Sequence, residues 1–298
     1  MTATPTTPSP LISAAELRAR LAQPGAPCLV LDTRFNLAQQ DAGEAAWREG
    51  HIPGARHVHL DRALSAPKTG RNGRHPLPAP EAFEATARAW GLTPAHQVVV
   101  YDAQGGMFAA RLWWMLRWLG FDAVQVLDGG WPAWLAEGGE SSTAAPEPAT
   151  PGTWTAQPRT GWLRSADEVW RSLPGETAAT GAPSGHPICL VDARAPDRFR
   201  GENETLDPVG GHIPGARNRF FQLNLQPDGR FKDAPTLRAE WAEVIGGQPL
   251  DTLVHQCGSG VTACHNLLAL AIAGHAPTAL YAGSWSEWCS DPARPVAR

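Results

Sequence analysis

The chain has 298 residues, enough for one large domain or two ordinary ones, and its 43% hydrophobic against 18% charged residues favour a folded protein over a disordered one. A net charge of −4 and the lack of a basic cluster argue against nucleic acid as a partner. Apolar stretches are broken by charge, Gly or Pro before the roughly 20 residues a bilayer span needs. Met1 to Pro10 is Thr/Pro-rich and lacks the segments of a signal peptide, so the expectation is a soluble cytoplasmic protein with no membrane partner.

In chain order, residues 1–10 read as a flexible tail. An amphipathic helix is expected over 12–21, a strand over 28–31, a helix over 81–90, a strand over 97–101, a helix over 107–119, a strand over 123–127 and a helix from 131 to 137. The stretch 139–158, rich in Gly, Ser, Thr, Ala and Pro, has neither period and reads as a linker. Beyond it the pattern restarts, with helix 166–173, strand 188–191, helix 236–245, strand 252–256, helix 262–273 and strand 278–281. Alternating strands and helices predict an α/β fold with mainly parallel sheets flanked by helices.

The restart is a repeat in sequence as well as pattern. Leu29-Val30-Leu31-Asp32-Thr33-Arg34 followed by His51-Ile52-Pro53-Gly54-Ala55-Arg56 returns close to 160 residues later as Leu190-Val191-Asp192-Ala193-Arg194 and His212-Ile213-Pro214-Gly215-Ala216-Arg217. Gln97 to Tyr101 matches Thr252 to Gln256, and Leu127-Asp128-Gly129-Gly130-Trp131 matches Tyr281-Ala282-Gly283-Ser284-Trp285. Four blocks in the same order indicate duplicated domains, 11–138 and 159–298, rather than a solenoid. The histidines of the two His-Ile-Pro-Gly segments are expected to be structural, and Asp32 and Asp192 to fix loops by hydrogen bonds. Trp113, Trp114 and Trp118 are expected to pack in the core or between domains.

The candidate chemistry lies at Cys257-Gly258-Ser259-Gly260-Val261-Thr262, between a strand and a helix. Loop amides and a helix N-terminus favour negative charge, which makes a thiolate available as a nucleophile. Such a thiolate is expected to be exposed and open to oxidation. The first half carries Asp102 at the matching position, so it is expected to be catalytically inactive and to shape the cleft. The five cysteines are odd in number with no Cys-x-x-Cys pair, which favours neither a disulfide framework nor a metal site. Cys28 and Cys189 read as core residues, and Cys264 as core or as a redox partner of Cys257.

These motifs together resemble two-domain rhodanese-type sulfurtransferases over Leu11 to Asp291. The resemblance implies tandem rhodanese-like domains and a cofactor-free reaction in which Cys257 carries sulfur as a persulfide. It also implies a small-molecule sulfur donor and a thiol acceptor such as thioredoxin. The loop resembles that of the 3-mercaptopyruvate branch, because Gly258 and Ser259 stand where thiosulfate-using members carry basic residues. Fewer positive side chains weaken selection for a dianion. The amides of Gly258, Ser259, Gly260, Val261 and Thr262 would cradle the persulfide.

The resemblance further implies an Asp61–His75–Ser259 proton relay and a substrate carboxylate bound by Arg198. A second arginine, expected shortly before His212, is missing from Glu202 to Pro208, and Arg200 is the nearest substitute. Three rival functions make different demands on the sequence. A cysteine phosphatase needs an arginine six positions after the cysteine, where this chain has Ala263. A non-catalytic binding module would not need the intact loop. A thiosulfate sulfurtransferase would share fold and nucleophile.

Overall fold

The structure is a computed structural model that describes residues 9–173, apart from Pro24 and Ala26, and residues 187–298. Most of the tail expected over 1–10 lies outside the described residues.

Two runs in the first half, Cys28–Asp32 (β2) and Gln97–Tyr101 (β4), are apolar on both faces and therefore suit the middle of a parallel sheet. They pair in parallel, Leu31 opposite Val100, and are extended by Leu11–Ile12 (β1), Arg56–His57 (β3) and Val124–Leu127 (β5) in the order β1-β5-β4-β2-β3. The second half repeats this with Cys189–Asp192 (β6), Arg217–Asn218 (β7), Leu253–Gln256 (β8) and Ala279–Leu280 (β9), ordered β7-β6-β8-β9 and again parallel.

The helix expected over 12–21 begins later, at Ala14–Leu21 (α1). Leu11 and Ile12 instead pair with Val126 and Leu127, and Ser13 closes a capping box with Glu16 that starts the helix. Ser165 and Glu168 form the same box at Ala166–Arg171. Sequence patterning missed the helix Ala42–Glu49 (α2) and the short turn Leu60–Ala63 (α3), which precede the expected helix Pro80–Ala89 (α4), as well as the turn Pro196–Phe199 and the two-residue strands β1, β3 and β7. The two-residue strands and four-residue turns carry too few residues for a period to show.

Residues 139–158 form no helix or strand, yet they are bound along the first domain. The amides of Gly152, Trp154 and Gln157 donate to the carbonyls of Arg88, Leu92 and Leu119, and the buried Trp154 ring packs edge-on against Phe83 and Phe121.

The helices Ala109–Trp118 (α5) and Ala263–Ile272 pack against each other and join the two halves into one continuous core. Trp114 is buried there, stacked on Trp118 and close to Trp162. Among the described residues no helix is long and apolar enough to cross a membrane.

Both domains use one device to fix the end of the sheet. Asp32 receives the amide, Nε and Nη2 of Arg34, whose Nη2 also donates to the Gly50 carbonyl at 2.7 Å. Asp192 and Arg194 reproduce each bond, ending on the Gly211 carbonyl at 2.8 Å. The guanidinia lie over Trp131 and Trp285 at 5.0 and 4.7 Å. This network anchors the turns that follow His51 and His212, where Gly54 and Gly215 take φ of 77° and 78°, a region that favours glycine. His51 and His212 hold backbone carbonyls, Trp47 and Ala144 for the first and Phe199 for the second, in line with a structural role.

Two stability predictions follow from these buried polar groups. Asp32→Ala strands the Arg34 charge in a site 6% exposed, and it should cost about 3–5 kcal/mol in urea unfolding; a loss under about 1 kcal/mol would show that the pair does not hold the turn. His255 is fully buried beside Trp241, neither ring nitrogen has a partner among the described residues, and burial lowers its pKa to about 3 from 6.5. Below pH about 6.5 the unfolded chain binds a proton that the native state refuses, so stability falls as pH drops towards about 3. His255→Leu should make unfolding free energy less pH-dependent between pH 6 and 4, by about 1.4 kcal/mol per pH unit.

Candidate active site

Cys257 follows directly on β8, the strand paired with β6, so the loop lies at the carboxyl end of its sheet. Gly260 is required there: its φ is 74°, and a Cβ would come within 2.3 Å of the Ala282 carbonyl oxygen. The segment after β9 braces the loop from behind. The amides of Trp285 and Ser286 donate to the carbonyls of Cys257 and Gly258, both at 3.0 Å, and the Cys257 amide donates to Ser284 Oγ at 3.1 Å.

Ser284 is the one non-glycine among the described residues at positive φ, 55°. Its counterpart Gly130 adopts 58° without that cost. Such a backbone costs of order 1–3 kcal/mol and persists where surroundings impose it. Here the serine supplies the hydroxyl that holds the cysteine's own amide, a role its sequence position did not signal.

The first domain shows what this loop shape binds. The Asp102 carboxylate takes the matching place and accepts the amides of Gln104, Gly106, Phe108 and Ala109 at 2.7–2.9 Å, at the start of α5. This is an anion nest filled by the protein itself. In the second domain the amide of Ser259, the residue matching Gln104, donates to Cys257 Sγ at 3.5 Å.

Cys257 is only 2% exposed, so the exposed thiolate expected from sequence is corrected: the sulfur lies at the base of the loop, within the continuous core. Cys264 is fully buried, its thiol 3.4 Å from the Gly260 carbonyl, and burial pushes its pKa up to about 12.

The three residues of the expected relay come together across the domain interface. His75 Nδ1 is 2.8 Å from Ser259 Oγ, and its Nε2 lies 3.4 Å from Asp61 Oδ1. Burial, helped by the nearby cations Arg111, Lys68 and Arg74, depresses the His75 pKa to about 3, so the ring is neutral at physiological pH. With Nε2–H facing the carboxylate, Nδ1 accepts from the Ser259 hydroxyl. Among the described residues neither Asp61 oxygen has a hydrogen-bond partner, although Lys68 Nζ stands at 3.7 Å.

The arginines are arranged differently from the sequence expectation. Arg198 reaches the loop, but its Nε and Nη2 are already paired with Glu204 at 2.8–3.2 Å. Arg200 forms an exposed pair with Glu202 and does not substitute for the missing arginine. Two arginines that sequence reading passed over stand at the loop instead. Arg111, fully buried on α5, donates to the carbonyls of Gly260 at 2.9 Å and His75 at 3.0 Å, with no acidic partner among the described residues. Arg74, next to His75, pairs with Asp207 and brings its Nη2 within 2.8 Å of where a Gly258 Cβ would stand.

A separate cleft of about 890 Å³, lined by Trp113, Trp114, Trp162 and Leu270, contains no residue of the cysteine loop. It includes Gln97 and Val124, the first residues of β4 and β5, and so lies at the amino ends of the first sheet's strands.

Comparison with known proteins agrees with this arrangement. The rhodanese-like domain matches twice, over residues 13–137 and 166–291. The chain is 48% identical to a probable 3-mercaptopyruvate sulfurtransferase of Pseudomonas aeruginosa, over 96% of this chain and 97% of that protein. It is 33% identical to the thiosulfate sulfurtransferase of Rattus norvegicus, over 87% and 84%. The 3-mercaptopyruvate sulfurtransferase from Leishmania major is similar in structure, with a TM-score of 0.81 and 30% identity over 96% of this chain and 75% of that one. A repeated domain, a cysteine at one strand end with an aspartate at the other, and relatives matched along nearly the whole chain show that this protein belongs to the rhodanese family of tandem-domain sulfurtransferases.

Proposed function

We propose that the chain moves sulfur from 3-mercaptopyruvate to a thiol acceptor through a persulfide on Cys257. The observation that carries this reading is the loop itself. The two side chains after the nucleophile are a hydrogen and a neutral hydroxyl, while the nearby guanidinia come from outside the loop. Such a site suits a donor with one carboxylate better than a compact dianion. The names of the relatives cover both donors, with the 48% match called a probable 3-mercaptopyruvate sulfurtransferase and one at 39% a putative thiosulfate sulfurtransferase.

In the first half-reaction the Cys257 thiolate attacks the sulfur of 3-mercaptopyruvate. A sulfur–sulfur bond forms and the carbon–sulfur bond breaks, its electron pair passing into the enolate of pyruvate. The thiol proton of the substrate must leave sulfur and reach the enolate carbon. Ser259 Oγ can take it while giving its own proton to the neutral His75 Nδ1, and the relay then runs back. Asp61 would orient the ring from Nε2.

In the second half-reaction an acceptor nucleophile, a thioredoxin thiolate in a cell or cyanide in an assay, attacks the outer sulfur. Cys257 leaves with the electron pair and is regenerated. The covalent persulfide is the sulfur carrier, so the cycle as written requires no cofactor. All five cysteines are unpaired in the structure, which fits work in the reducing cytoplasm.

Thiocyanate formation from cyanide tests the proposal. Cys257→Ala should abolish it, and kcat/KM for 3-mercaptopyruvate should exceed that for thiosulfate in the unaltered protein. A preference for thiosulfate would keep the nucleophile and overturn the donor. Ser259→Ala should lower kcat for 3-mercaptopyruvate by about 100-fold or more if the relay moves the proton; a change below about threefold would remove Ser259 from it.

A further inference from the structure

We infer that Arg111 and His265 are reciprocal clamps across the domain interface, each holding a loop carbonyl of the other domain, and that Arg111 is the positioning residue that aims the Val261 amide at the Cys257 sulfur. This deepens the proposed function and rests on that reading for Cys257 as the sulfur carrier.

The two loops match position by position from Asp102 and Cys257, so Gly105 corresponds to Gly260 and Gly106 to Val261. Both corner glycines take positive φ, 67° and 74°. In the first domain the whole device is visible. The Gly105 carbonyl accepts from His265 Nε2 at 3.0 Å, and on the same peptide the Gly106 amide donates to Asp102 Oδ1 at 2.9 Å. A trans peptide points its carbonyl and its N–H in opposite directions, and no cis bond occurs among the described residues. Holding the carbonyl outward therefore turns the amide inward. In the second domain the Gly260 carbonyl accepts from Arg111 Nη1 at 2.9 Å. The Val261 amide is thereby turned towards the place that Asp102 fills in the other loop, and it makes no hydrogen bond among the described residues. It is a buried donor kept for a thiolate or for the outer sulfur of a persulfide.

The clamps differ in charge, and the difference follows the loops. His265 Nδ1 faces Asn224 Nδ2 at 3.3 Å and its ring stacks on Phe231. Burial lowers its pKa to about 4, so it clamps as a neutral donor. The loop it holds already contains a carboxyl. Arg111 is fully buried without an acidic partner among the described residues, and its loop holds an anion only once the sulfur is deprotonated or persulfidated. The same guanidinium holds the His75 carbonyl at 3.0 Å, so it ties together the two backbones that carry the relay pair His75 and Ser259. With no exposed surface Arg111 cannot touch a substrate, so its loss acts on kcat rather than on KM.

Alkylation of Cys257 by neutral iodoacetamide at neutral pH, followed by mass spectrometry, tests the clamp without a sulfur donor. Arg111→Gln should lower the rate by about 10-fold, while Arg111→Lys, which keeps charge and donor, should stay within about threefold. His265→Leu removes the opposite clamp: it should lower the urea midpoint of unfolding and leave the alkylation rate within about twofold. In turnover of 3-mercaptopyruvate, Arg111→Gln should lower kcat by about 10-fold or more with KM within about threefold. An unchanged alkylation rate in Arg111→Gln, or an equal loss in His265→Leu, would overturn the assignment. A slowed Arg111→Gln in a protein that turns over no 3-mercaptopyruvate would keep the clamp and reject the donor. One reading needs no change at Arg111 and serves if that variant does not fold. In protein labelled at valine nitrogen, the Val261 amide proton, identified by its loss in Val261→Ile, should move downfield when 3-mercaptopyruvate or thiosulfate loads sulfur onto Cys257. A Val261 amide that stays in place while Cys257 gains sulfur would also overturn the inference.

Discussion

The structure depends on one arrangement: a ring of backbone amides where a central strand ends and a helix begins, which requires something negative at its centre. In the first domain that requirement is met by the Asp102 carboxylate with four amide bonds. In the second the matching place is taken by Cys257 sulfur, which receives the Ser259 amide. The Asp102 carboxyl fills its nest through these amide bonds, although burial raises its pKa. A thiol satisfies it only as a thiolate or persulfide, so the same backbone that stabilises one domain supplies the driving force for chemistry in the other.

Because the first nest is filled, the first domain is free to act on the second. His75 faces Ser259, Arg111 holds the Gly260 carbonyl, and Arg74 borders Gly258, each reaching across the interface. Arg111 matters electrostatically as well as geometrically. A fully buried guanidinium costs much in desolvation, and this one is bonded to carbonyls rather than to a carboxylate. Its proximity to Cys257 gives the interior a fixed positive charge that becomes favourable when the sulfur is anionic. Duplication thus yields a site that neither domain contains alone.

Much of this was legible in the sequence, for physical reasons that differ by feature. The sheets followed from apolar runs such as Val98-Val99-Val100, and the duplication from the repeated Asp-x-Arg and His-Ile-Pro-Gly blocks, because both are local patterns. The pairing of His75 with Ser259 rested on resemblance, since 184 residues separate them and no local period connects them. Arg74 and Arg111 escaped notice because their signal is three-dimensional. Arg111 sits in a helix whose apolar neighbours read as core, and Arg74 in a Gly-rich loop that reads as surface. The arginine missing from Glu202 to Pro208 was visible, but not the acids Glu204 and Asp207 as holders of arginines from elsewhere.

That exchange bears on how such a site selects its donor. Positive side chains placed on the cysteine loop would meet an incoming anion at the reacting sulfur itself. Here the charges are set back, each held by a buried acid. Two buried carboxylates largely neutralise the two arginines, so what remains is directional hydrogen bonding rather than a strong field. A small dianion gains most from field, whereas a planar carboxylate on a short carbon chain gains most from two aligned donors.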